Sequence, residues 1–218
     1  MDNKIYTKVF AWLVIGLLVT FGVGYGLNVV FTNNLELAVK VFTGPAFWII
    51  IIVELVLAIA LGAGLKKFNP IITKILYLIY TAITGLTFST IFMYFEMGSI
   101  IFIFAVTAVI FALFAIIGSK LNIDLSKFGI YLLIALIGVV VVSIINIFIG
   151  SSQLQMFLSA ITILIFTLYI GYDIRKIKAL LDTDIPEDNI AVYGAFQLYL
   201  DFINIFIRLL ELFGKAKD

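Results

Sequence analysis

Acid–base or ligand chemistry in this chain must come from carboxylates, hydroxyls and amines, because its 218 residues include neither His nor Cys. An imidazole base, a Ser-His or Cys-His nucleophile, a thiolate or imidazole zinc site and a disulfide are all excluded. The carboxylates that stand out are set in apolar surroundings. Glu54 and Asp201, with the cation Arg208, lie well inside long apolar runs, and Asp173, Glu96 and Glu211 lie close to the ends of such runs. A charge at the centre of a membrane helix costs about 2.5–3.5 kcal/mol on insertion scales. Each of these groups must therefore face a bundle interior, a water-filled cavity or a partner.

In the last apolar run, Tyr193, Gln197, Asp201, Asn204, Arg208 and Glu211 follow one another at spacings of 4, 4, 3, 4 and 3, which sets them on one stripe of a helix. The other face is Leu, Ile and Phe. Lipid cannot accept a polar stripe of this kind, so the last helix is expected at the centre of the bundle with the others around it. Gln197, Asn204 and Glu211 are then candidate pore-lining groups, and interhelical hydrogen bonding is the plainer role for Gln197 and Asn204. Asp173 closes the preceding apolar run and abuts a charged segment with Arg175, Lys176 and Lys178. If the last helix starts on the same side, Asp173 and Asp201 can meet. Two carboxylates in contact do not easily both ionise, so they share a proton and respond to pH; when ionised, the pair suits a hard, oxygen-seeking cation such as Ca2+. Glu54 and Arg208 have similar depths on the opposite side, which makes an outer ion pair plausible.

The elements that must hold these residues follow from composition. The chain is 64% apolar and 12% charged, far from a water-soluble domain. Seven runs have membrane-helix length: about 9–31, 46–65 (opened by Pro45), 71–95, 99–118, 128–149, 154–172 and 190–213. The first is too long for the core of a cleaved signal peptide, and none alternates with period two as a membrane barrel would. Short connections make residues 1–218 a single polytopic membrane domain. The fold class is an all-α integral membrane protein of seven transmembrane helices. With a cytosolic N-terminus, Lys4, Lys8, Lys66, Lys67, Lys74, Lys120, Lys127, Arg175, Lys176 and Lys178 all fall inside, and Lys40 alone falls in the opposite loops. A last segment that re-entered instead of crossing would also bring Lys215 and Lys217 inside. Gly22, Gly24 and Gly26 mark close helix packing, and Thr84, Thr87, Ser89 and Asn146 are local backbone bonders or polar lining.

The C-terminal third resembles the Bax inhibitor-1, or transmembrane Bax-inhibitor-motif, family. The resemblance is carried by Tyr172-Asp173, then Leu198-Tyr199-Leu200-Asp201-Phe202-Ile203-Asn204, and Phe213-Gly214; over the first 150 residues it is mainly of hydropathy and span count, with Glu54 a further match. It implies a bacterial seven-helix protein with a central last helix, acting as a pH-sensitive calcium leak channel. It also implies that Asp173 and Asp201 are a di-aspartyl pH sensor that meets the metal ion, and that Glu54 joins an outer ion pair, with Arg208 as candidate base. Relatives often carry an arginine latch at the cytosolic end of the second helix; here the stretch reads Leu65-Lys66-Lys67, so Lys66, Lys67 and Arg175 are the latch candidates. Glu211 stands where relatives can carry a base.

The leading expectation is passive, pH-gated Ca2+ flux by a non-enzyme of the bacterial inner membrane. Its partners are the lipid bilayer, Ca2+ and protons, with no cofactor and, at a net charge of +1, no nucleic acid. One alternative is an intramembrane aspartyl protease, disfavoured because the second Asp sits in LYLD instead of GxGD and no Pro-Ala-Leu follows. Another is a regulatory membrane protein that acts through protein partners.

Overall fold

The computed structural model describes residues 2–120 and 128–217; Lys127, counted above among the inside bases, lies outside the described residues. Eight helices follow in order: α1 (Asp2–Asn33), α2 (Leu35–Thr43), α3 (Pro45–Gly64), α4 (Pro70–Tyr94), α5 (Met97–Lys120), α6 (Phe128–Ile149), α7 (Ser152–Leu180) and α8 (Glu187–Phe213). Among the described residues there is no strand, and seven helices, all but α2, are long and apolar enough to cross a membrane. The protein is thus an all-α integral membrane protein, as its hydropathy pattern requires.

Local signals set the helix starts. Pro45 and Pro70 stand in first-turn positions, where a missing N–H removes nothing, and Asn69 caps α4 by accepting from Ile72 N at 2.9 Å. The additional helix α2 is capped by Asn34, which accepts from Leu37 N at 3.0 Å, and bears Glu36 in its first turn and Lys40 in its last. At nine residues it is too short to cross a bilayer. Two further differences concern the chemistry. Helix α7 does not end at Tyr172 but continues to Leu180, so Asp173, Arg175, Lys176 and Lys178 are helical and not loop residues. Helix α8 opens at Glu187, where the Pro186 carbonyl accepts from Ile190 N at 3.1 Å.

The chain packs as two compact units. The first holds residues 1–95, 180–199 and 216–218. In it α1 lies along α4 at close range, for a Cβ at Gly85 would come within 2.8 Å of Thr20 O. Thr20 Oγ1 donates to Thr81 O at 2.8 Å and meets the Tyr199 hydroxyl at 2.5 Å; the Tyr77 hydroxyl donates to Trp12 O at 3.0 Å; and the rings of Tyr80 and Phe196 stand edge to face with centroids 5.2 Å apart. The start of α8 is tied to its neighbours by Asn189, 1% exposed, whose Nδ2 donates to Leu65 O at 3.2 Å and to Phe68 O at 2.7 Å. Asp188 pairs there with Lys74 at 2.6 Å and Lys8 at 3.2 Å. The chain beyond α8 meets the other end of α4: Lys217 N donates to Tyr94 O at 2.9 Å. Lys74 and Tyr94 lie 20 residues apart on α4, about 30 Å at 1.5 Å per residue, so the contacts that flank α8 sit at opposite ends of α4, which fits a crossing last helix and not a re-entrant one.

The second unit holds residues 96–179 and 200–215. Leu132 and Val139 of α6 pack with Leu158 and Ile165 of α7, and Phe104 and Phe111 of α5 set their rings 5.1 Å and 5.8 Å from that of Phe202. Of the most apolar stretch of α8, 78% is buried, against 6% for α3 and α6. The last helix is therefore the most buried of the seven long ones, and α3 and α6 leave most of their apolar side chains exposed.

Candidate functional site

Asp173 and Asp201 both belong to the second unit, one on α7 and the other on the part of α8 that packs there. Asp173 is 2% exposed and Asp201 3% exposed, so neither is solvated as a loop charge would be. Their charges act on one another, and Lys176 is the cation whose charge reaches Asp201. Tyr169, one turn before Asp173 on α7, feels both carboxylates. Oδ2 of Asp201 has no hydrogen-bond partner among the described residues. A buried carboxylate oxygen without a donor is costly unless it carries a proton or meets a cation.

Helix α7 is set against α5 by close packing of small residues. Gly118 of α5 and Gly171 of α7 approach so closely that a Cβ at Gly118 would stand 2.4 Å from Gly171 Cα. Next to this contact Arg175 Nε donates to Gly118 O at 3.3 Å, which fixes the α7 backbone against α5 two residues from Asp173. Lys176 Nζ lies 5.8 Å from the centroid of the Tyr172 ring. Among the described residues no group of three or more acidic side chains gathers, so the pair would supply only part of the six to eight oxygens that Ca2+ takes.

The remaining members of the expected site are distributed as follows. On the α8 stripe, Tyr193 is buried, Gln197 and Asn204 are partly buried, and Asn204 Nδ2 donates to Leu200 O at 2.8 Å, a local backbone bond. Arg208 Nη1 donates to Glu211 Oε2 at 2.8 Å, and Ser159 Oγ donates to the same oxygen at 3.0 Å. Glu54, half-buried on α3, accepts from Thr87 Oγ1 at 3.4 Å. Each member of the expected Glu54–Arg208 pair thus has a partner inside its own unit. Of the latch candidates, Arg175 bonds the Gly118 carbonyl, Lys66 lines an open cleft with Asp184 and Pro186, and Lys67 donates its backbone N–H to Gly64 O at 2.8 Å. Lys176, expected in a charged segment beyond the apolar run, is helical. Its i,i+3 spacing from Asp173 was the signal that the two share a helical face. Asn189 gives no signal of its role in the sequence, because it follows Glu187 and Asp188 at the start of an apolar run.

Comparison with known proteins agrees with this architecture. The sequence profile described as "Inhibitor of apoptosis-promoting Bax1" matches residues 2–218. The inner membrane protein YbhL of Escherichia coli (strain K12) is 35% identical over 216 residues, covering 96% of this chain and 91% of its own length. An uncharacterized protein of Borreliella burgdorferi is 34% identical over 222 residues, covering 100% and 94%. An uncharacterized membrane protein of Streptococcus pyogenes serotype M1 is 34% identical over 215 residues, covering 98% and 93%. With a match that runs from α1 to the residues beyond α8, the chain belongs to the Bax inhibitor family.

Proposed function

We propose that the protein is a pH-sensitive channel for passive Ca2+ leak, gated by Asp173 and Asp201, with its N-terminus in the cytoplasm. The observation that carries this reading is the pair itself: two carboxylates, 2% and 3% exposed, buried in one compact unit, with Asp201 Oδ2 left without a hydrogen-bond partner among the described residues. In such a site the two groups share a proton. Its loss adds a negative charge that Lys176 or an incoming cation must balance, so the proton count sets both the hold on α7 and the attraction for Ca2+. A pair that offers only part of a calcium shell passes the ion on and does not store it. The Lys and Arg bias of the connections supports the cytoplasmic N-terminus. With α8 crossing completely, Lys215 and Lys217 then lie on the far side.

The test is flux from calcium-loaded vesicles read with an indicator over a series of pH values. Asp201→Asn and Asp173→Asn should each flatten the pH profile while the purified protein stays monodisperse. A wild-type pH profile in Asp201→Asn overturns the assignment.

A further inference from the structure

The end of the second unit where α6 turns into α7 carries a cleft that the gating pair does not use. Its volume is about 390 Å³, and Ser143, Asn146, Ser152, Gln155 and Arg208 supply its polar lining. All of these residues lie in the same compact unit. Asn146 is committed to the turn, accepting from Ser151 N at 3.2 Å and donating to Ser151 O at 3.1 Å. Arg208 is only partly committed. Glu211 takes Nη1 at 2.8 Å, while Nε and Nη2 have no protein acceptor among the described residues, and the side chain is 30% exposed. A guanidinium presents five donors in a planar fork suited to phosphate, so two directions remain available to a ligand. Beside it begins α7. Ser151 O and Oγ accept from Gln155 N and Leu154 N, and Ser152, which lines the cleft, opens the helix at its positive end.

The setting says which anion fits. Ile147 both lines the cleft and stands 76% exposed, and it is followed by Phe148 at 86% and Ile149 at 62%. The polar cleft therefore opens directly onto an apolar surface at the end of two membrane helices, the depth at which phosphate and acyl chain meet. We propose that this cleft binds the phosphodiester headgroup of an anionic membrane phospholipid, with Arg208 as the phosphate ligand and Ser152 and Gln155 as further donors. Phosphate chemistry alone would also admit free phosphate. The apolar collar is what assigns the source to lipid.

The experiment is native mass spectrometry of the full chain in detergent, titrated with dioleoylphosphatidylglycerol, with dioleoylglycerol as the phosphate-free counterpart and with inorganic phosphate. The expected result is retention of phosphatidylglycerol over dioleoylglycerol. Arg208→Gln should weaken that retention about tenfold or more, as loss of a charge-assisted phosphate contact would. Ser143→Leu, which fills the cleft and leaves the charge in place, should weaken it as well. It also keeps the test valid should Arg208→Gln fail to fold. Equal retention of the two lipids, or retention of phosphatidylglycerol unchanged in both variants, overturns the site. Arg208-dependent binding of inorganic phosphate without lipid preference overturns the lipid assignment.

Discussion

Gly118 and Gly171 face one another across the α5–α7 contact, yet exchanging each for alanine should have opposite consequences. A methyl group at position 118 would lie 2.4 Å from Gly171 Cα and 3.0 Å from Gly171 O, whereas one at position 171 would lie 3.6 Å from Gly118 Cα. Carbon atoms rest about 3.5–4.0 Å apart, so Gly118→Ala must drive the helices apart by roughly 1 Å, and Gly171→Ala need not move them. Overpacking of this kind costs about 1–3 kcal/mol, partly offset by the better helix propensity of alanine, worth up to about 1 kcal/mol. The net loss for Gly118→Ala is then about 1–2 kcal/mol. At roughly 2–4 °C per kcal/mol for a chain of this size, that is a fall of about 2–8 °C in the melting temperature of the detergent-solubilised protein. Gly171→Ala should melt at or slightly above the wild-type temperature. Because Arg175 bonds Gly118 O beside Asp173, Gly118→Ala should also alter the pH profile of any flux. Equal melting temperatures for the two variants, or a larger fall for Gly171→Ala, would refute the close-approach argument.

Asn189→Leu should destabilise by about 2–3 kcal/mol, because it leaves the carbonyls of Leu65 and Phe68 without their donor; Asn189→Asp should be no better, since it turns an acceptor towards acceptors. Thermal melts of the two variants check this. Gly150, at φ +69°, holds the α6–α7 turn in the left-handed region, so Gly150→Ala should cost about 1 kcal/mol and Gly150→Asn less. Comparison of their melting temperatures with the wild type decides it.

The spans were legible because hydropathy over twenty residues is a property of the chain itself. Pro45 marked a start for the reason it always does, having no N–H to lose. The candidate pair was legible too, since a carboxylate amid Leu, Ile and Phe has few ways to be stable. What escaped is instructive in each case. Helix α2 was too short for a reading tuned to membrane crossing. The continuation of α7 past Tyr172 is hidden by charges, which end an apolar run but not a helix, because charged residues such as Lys and Arg are themselves good helix formers. The ties of Thr20 to Tyr199 and of Lys8 to Asp188 join residues far apart in sequence, and no local pattern announces them. The Arg208–Glu211 bond, by contrast, joins residues three apart on one helix, a spacing that puts both on the same face.

The two extra turns of α7 bear on what could move at the proposed Asp173–Asp201 gate. Had Arg175, Lys176 and Lys178 sat in a loop, the countercharge could have wandered, and every closure would have had to gather it again. Carried on the helix that bears Asp173, Lys176 is held three residues on and on the same face, its Cα fixed relative to that of the carboxylate by the rise and twist of the backbone. Acid and base on α7 then behave as one fixed dipolar body. The variable left to a proton or a cation is how Asp201, on another helix, stands before it. In the proposed gate, Asp173 on α7 and Asp201 on α8 would then each set the sensitivity, one from either side of the same contact.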